Sequence, residues 1–200
     1  MSKHTDEALD KLVRAVEGGR SNAYCLRLWS AFIRARDGYR CVLCHSTRRL
    51  SAHHIARKCF LQFAKFAPGN GITLCRKCHA EPHAIFNGKP DMRQPMDARG
   101  GENIDLMMDL YRALAEDASE RNQCRNDYYF LNEQVLTTFK RFQDLPESAN
   151  FSGIPVEQAY WIWRQTPRAS MFALIEANGF SVPRDFIQRP GVTIVGQACC

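Results

Sequence analysis

Residues 37 to 83, DGYRCVLCHSTRRLSAHHIARKCFLQFAKFAPGNGITLCRKCHAEPH, decide how the chain is read. Two CxxC pairs, Cys41/Cys44 and Cys75/Cys78, open and close the stretch. Each pair sets two thiolates on a tight knuckle, and two knuckles supply the four sulfurs of a tetrahedral zinc site, at about 2.3 Å from the ion. Four thiolates saturate the ion and leave no position for water. Such a zinc is structural, tying together a segment too short to bury much core. The thirty residues between Cys44 and Cys75 exceed the usual zinc-ribbon spacing and leave room for something else to be built between the knuckles.

With the zinc satisfied by sulfur, four of the six histidines remain unassigned in the same stretch: His53, His54, His79 and His83. RLSAHHI has strand character, and neighbours on a strand point to opposite sides, so His53 and His54 suit two different jobs, one ligand and one base. His79 follows the second knuckle, where a helix is expected. Positions i and i+4 share a helix face, which lets His79 and His83 face a second metal while Cys75 and Cys78 face the zinc. Pro82 lies between them, cannot donate a helical hydrogen bond, and counts against His83. His45 is read as a surface histidine beside its knuckle.

The run HHI, then Asn70 five residues before Cys75, then CxxCH, resembles the HNH endonucleases of the ββα-metal superfamily, in the subgroup stapled by a four-cysteine zinc. The resemblance covers about residues 25 to 86. It implies that His53 and His79 are ligands of a catalytic divalent cation (Mg²⁺, Mn²⁺, Ni²⁺ or Zn²⁺), with His83 an optional third. It further implies that His54 is the general base and that Asn70 braces the loop. The implied reaction is hydrolysis of DNA phosphodiester bonds, giving 5′-phosphate and 3′-hydroxyl ends. A bacterial or phage setting follows from the same analogy. Arg57, Lys58, Arg76 and Lys77 flank these positions as candidate phosphate contacts, which position a duplex without reading its sequence.

The remainder of the sequence frames that module. Residues 1 to 100 hold 18 Lys and Arg against 8 Asp and Glu, a balance of +10, whereas residues 101 to 200 hold 9 against 13, a balance of −4. The basic half points to a polyanion, expected to be double-stranded DNA. No long apolar run suggests a membrane span, and the N-terminus lacks a secretory core, so a cytoplasmic protein is expected. Nine cysteines in a reducing compartment fit metal better than disulfides.

The spacing predicts helices over 6 to 17 (Leu9, Leu12, Val13 and Val16 inward) and 24 to 36 (Leu26, Trp29, Phe32 and Ile33 inward), with Arg27, Arg34 and Arg36 near the surface. The expected fold is α+β. It comprises an N-terminal helical flank over 1–36, an HNH module with structural zinc over 37–90, a Gly/Pro-rich linker over 91–103 and a mainly helical region over 104–200. The last region carries stripes at Ile104, Met107, Met108, Tyr111 and Leu114 and at Tyr128, Leu131, Val135, Leu136, Phe139 and Phe142. Shorter helices follow over 155–165 and 168–177, with Gly179 as a stop. Its apolar stripes are read as core or as an interface for a second copy or a protein partner. Cys25, Cys59 and Cys124 are read as small core side chains, and Cys199-Cys200 as an unpaired tail. The competing reading of the whole is a zinc-stapled nucleic-acid-binding or adaptor protein that keeps the scaffold without catalysis.

Overall fold

The computed structural model describes residues 3–80, 101–165, 167–179, 186–189 and 192–195. Two antiparallel helices lead, α1 (Lys3–Glu17) and α2 (Asn22–Arg36). Gly19 turns the chain between them at φ 62°, and the Ser21 hydroxyl caps α2 by accepting from the Tyr24 N–H. On α1 the buried face is Thr5, Leu9, Leu12 and Ala15, while Val13 and Val16 stay 42% and 40% exposed. The expected inward face is therefore rotated: α1 leans mainly on α2, and this narrow contact covers one side of the stripe.

Behind α2 lies a two-stranded antiparallel sheet, β1 (Leu50–His54) and β2 (Gly71–Cys75), with His53 opposite Ile72 and His54 opposite Gly71. Gly71 is required by proximity, since a Cβ there would stand 2.5 Å from Trp29 Cζ2 and 2.7 Å from Ile33 Cδ1. The connection between the strands contains two single-turn 3-10 segments, Gln62–Ala64 and Pro68–Asn70. A helix, α3, begins at residue 76 directly after β2 and is described to residue 80.

Three further helices complete the core: α4 (Ile104–Glu120), α5 (Glu133–Phe142) and α6 (Pro155–Trp163). Asn103 and Asn132 cap α4 and α5 through their side-chain oxygens. One continuous apolar cluster runs from Trp29, Phe32 and Ile33 through Ile72 and Leu74 to Tyr111, Phe139 and Ile162, so the described parts of both halves share a core. Helix α7 (Arg168–Ala177) follows, and a hairpin of β3 (Phe186–Arg189) and β4 (Val192–Val195) adds strand to a region expected to be helical. Gly179, at φ 79°, stands just past α7, where a stop was expected. Among the described residues no helix is long and apolar enough to cross a membrane.

Several polar groups behave differently from their sequence reading. Arg36, expected near the surface, is fully buried. It lies seven residues after Trp29, on the same helix face, so the period that buries Trp29 buries it too. Its Nε donates to Asp37 Oδ1 at 2.7 Å, Nη1 to the Pro68 carbonyl at 2.7 Å, and Nη2 to the Gly71 carbonyl at 2.6 Å; its guanidinium covers the Tyr129 ring. Asp37 in turn accepts from the Thr73 N–H at 2.7 Å, which fixes the end of α2 to β2. Gly101 and Glu102, at the end of the expected linker, are buried, and Cys124, expected in the core, is exposed while Cys25 is buried.

Candidate metal centre and histidine site

The first knuckle is a tight turn in which the His45 N–H returns to the Cys41 carbonyl at 2.8 Å, and His45 itself adopts φ 58°. The Val42 N–H donates to the Thr73 carbonyl at 2.9 Å, docking this turn on β2. The second knuckle spans the end of β2 and the start of α3. As a result, the sulfurs of Cys41, Cys44, Cys75 and Cys78 all lie within 4.8 Å of one another, with Cys44 and Cys75 at 3.6 Å. Sulfurs bound to one tetrahedral zinc at about 2.3 Å would be roughly 3.8 Å apart, so these residues fit the ion. At these separations each thiol perturbs the ionisation of its neighbours. Backbone N–H donation from Cys78 is the largest influence that lowers Cys75, to about 7, while burial and the neighbouring thiols push Cys78 up. A cation that binds thiolates relieves this competition. His45 is exposed and lies against Arg40, as a surface residue.

β1 carries the two histidines to opposite sides. The His53 ring meets the His79 ring edge to face, with centroids 5.0 Å apart and planes at 87°. Two imidazoles that share one ion at about 2.0–2.1 Å place their centroids roughly 4.5–5.3 Å apart, for ligand angles between octahedral and tetrahedral. The observed separation of the ring centroids falls inside that range. His83 lies outside the described residues.

His54 stacks on Trp29, with centroids 4.1 Å apart and planes within 10°, and its Nε2 is 3.0 Å from the Lys65 carbonyl. A carbonyl only accepts, so Nε2 carries the proton and Nδ1 carries the lone pair. Burial lowers the pKa of His54 below 6.5, with Lys58 and Lys65 adding to the effect against the Lys65 carbonyl. In the neutral ring, which burial favours, Nδ1 is the atom that accepts a proton.

Asn70 is fully buried at the foot of β2. Its Oδ1 accepts from the Ala56 N–H at 2.8 Å, and its Nδ2 donates to the carbonyls of Ala56 at 3.0 Å and Ala64 at 3.2 Å. It thus clamps both ends of the loop that follows His54.

Of the four candidate phosphate contacts, Lys58, Arg76 and Lys77 are exposed. Arg57 is differently engaged. Its guanidinium donates to the Gly101 carbonyl at 3.0 Å and stands 3.9 Å from Glu102, whose carboxylate also accepts the Arg57 backbone N–H at 3.2 Å. Glu102 had no signal in the sequence, since it lies 45 residues from its partner in a stretch read as linker. Trp29 was expected in the core, but not as the platform for His54.

Compared with protein-family models, with curated proteins and with solved structures, the chain matches none.

Proposed function

We propose that the protein is a metal-dependent HNH endonuclease of the ββα-metal type, in which β1, β2 and α3 form the metal-binding unit and the four cysteines hold its structural zinc. The observation that carries this reading is the paired placement of the histidines. The His53 and His79 rings stand 5.0 Å apart, a spacing that suits two ligands of one ion, and His54, the next residue on β1, is held as the tautomer that accepts a proton at Nδ1.

In this reading His54 Nδ1 takes the proton of the attacking water. A divalent cation on His53 and His79 would supply positive charge for the scissile phosphate and the departing 3′ oxygen. Asn70 keeps the loop after His54 in register, and Lys65 fixes the imidazole through its carbonyl. Lys58, Arg76 and Lys77 hold the phosphates of double-stranded DNA, which the +10 balance of residues 1 to 100 draws in. Arg57, paired with Glu102, shapes the loop rather than the phosphate path. The products are a 5′-phosphate and a 3′-hydroxyl.

Supercoiled plasmid incubated with purified protein and Mg²⁺, Mn²⁺, Ni²⁺ or Zn²⁺ tests the proposal. Nicking or linearisation is expected in the wild type, with a loss of roughly a hundredfold or more in His54→Ala. Equal cleavage by the variant removes His54 from the role of base. Absence of cleavage with every ion, alongside salt-sensitive DNA binding, supports the catalytically silent adaptor instead.

A further inference from the structure

A cavity of about 170 Å³ opens between the loop after β1 and helices α4, α5 and α6. Its walls include Phe60, Phe139, Phe142 and Trp163, and its polar edge is Arg57 and Glu102. A cavity of about 150 Å³ lined by apolar side chains admits one benzene ring. The size therefore suits a single six-membered ring.

The polar groups narrow the chemistry. Each Glu102 oxygen takes one long bond from the Arg57 N–H at 3.2 Å and keeps accepting capacity. Trp163 is 5% exposed, and its Nε1–H is buried without a hydrogen-bond partner. That N–H lies below the cavity surface, so the polar group the wall offers is one acceptor, the Glu102 carboxylate. The neighbouring Arg57 guanidinium offsets the Glu102 charge, which argues against an organic cation as the occupant. Phe142, 51% exposed with its ring 6.3 Å from that of Trp163 and 23° from parallel, offers an aromatic face at the rim.

We infer that this cavity binds an amino-pyrimidine ring, cytosine in class, with the exocyclic amine on Glu102 and the ring among Phe60, Phe142 and Trp163. Glu102 is pushed up to about 7, chiefly by burial, so a donor that bonds its carboxylate stabilises the charged form. Carboxylates are natural acceptors for the cytosine amine. The ring could come from a free nucleoside or from an unstacked base in a bound strand. The second source rests on the nuclease reading: Arg57 is three residues past His54, so the cavity edge lies within about 11 Å of chain from the base.

Equilibrium dialysis with cytidine and uridine, and anisotropy of a labelled oligo-dT with or without one central dC, test the inference without added divalent cation. Neither readout depends on cleavage, so failure here and failure of the nuclease proposal remain separate. Cytidine should bind saturably and about tenfold more tightly than uridine, the discrimination of one good base contact. Glu102→Gln should abolish that preference, and Phe142→Ala, at an exposed position, should weaken cytidine about tenfold with an unchanged unfolding midpoint. A matching preference for the dC-containing strand assigns the ring to bound nucleic acid; cytidine selectivity without it assigns a free nucleoside. Absence of saturable cytidine binding, or equal binding of cytidine and uridine, overturns the inference.

Discussion

Replacing Asn70 with Asp exchanges one atom for a near-isostere at the most constrained point of the loop. The new carboxylate can still accept the Ala56 N–H in place of Oδ1, but its second oxygen faces the Ala56 and Ala64 carbonyls, to which Nδ2 donates at 3.0 and 3.2 Å. Two buried hydrogen bonds are lost at about 1 kcal/mol each, and two acceptors are left facing a buried oxygen anion, so the cost at pH 8 should be roughly 3–5 kcal/mol. Against the 5–15 kcal/mol typical of a domain, that loss is large (roughly). Protonation restores one donor. The folded-state pKa of the new Asp must therefore lie above its unfolded value. The stabilising contribution of protonation is fully present below the unfolded pKa and is lost as pH rises through the folded one. Urea unfolding at pH 5 and pH 8, followed by tryptophan fluorescence, should show the smaller penalty at pH 5, by about 1–2 kcal/mol. A variant within about 0.5 kcal/mol of wild type at both pH values would refute the bracing role assigned to this side chain.

Cys78→Ser should lower bound zinc below one ion per chain and reduce the thermal midpoint, and chelation of the wild type should do the same; a metal-free chain with an unchanged midpoint contradicts the structural site. Arg36→Met should cost about 3–5 kcal/mol, because it leaves the fully buried Asp37 without its cation, and Arg36→Met with Asp37→Asn should cost less than the single change. A double variant no better than Arg36→Met would remove the ion pair as the cause. Glu102, raised from 4.5 to about 7, contributes stability below pH 4.5 that is lost as pH rises through 7, by up to about 3 kcal/mol. Glu102→Gln should flatten that part of the stability profile, which urea titrations between pH 4 and 8 would resolve.

The metal cluster was legible because ligand spacing is local: two CxxC pairs specify two turns, and the four sulfurs have few ways to meet. The strand at HH and a helix at the second knuckle were legible for the same reason, although α3 begins at residue 76, ahead of Cys78. Arg36 was misread because its charge outweighed its position, although it continues the Trp29, Phe32, Ile33 face. The β3–β4 hairpin carried a signal that went unused, since FIQR and VTIV flank Pro190-Gly191. Glu102 could not be read at all. No periodicity relates a residue in a Gly-rich stretch to a backbone N–H at position 57, and only the folded chain brings them together.

That long-range closure determines what the second half of the chain does for the site. Three successive N–H groups after His54 are held: Ile55 by the Asn70 carbonyl at 3.1 Å, Ala56 by the Asn70 side chain at 2.8 Å, and Arg57 by Glu102 at 3.2 Å. The Asn70 segment is itself pinned from α2 and from beyond α4, by Arg36 on the Pro68 carbonyl and by the Gly69 N–H on the Phe130 carbonyl at 2.7 Å. Arg121 reaches back to the Arg36 carbonyl at 2.5 Å, and the Phe32 ring packs edge-on against Tyr128 at 5.8 Å. A chain truncated after residue 90 keeps every cysteine of the cluster and all candidate catalytic residues, yet it loses Glu102, Arg121, Tyr128, Tyr129 and Phe130. It also bares the buried Phe32, whose ring packs on Tyr128. The truncated chain should bind one zinc and still lack a cooperative unfolding transition, because the metal closes the knuckles but supplies none of that apolar cover. Calorimetry on the zinc-loaded truncation decides the point: a sharp transition near that of the full chain would mean that the module folds alone and that the contacts from the second half are incidental to it.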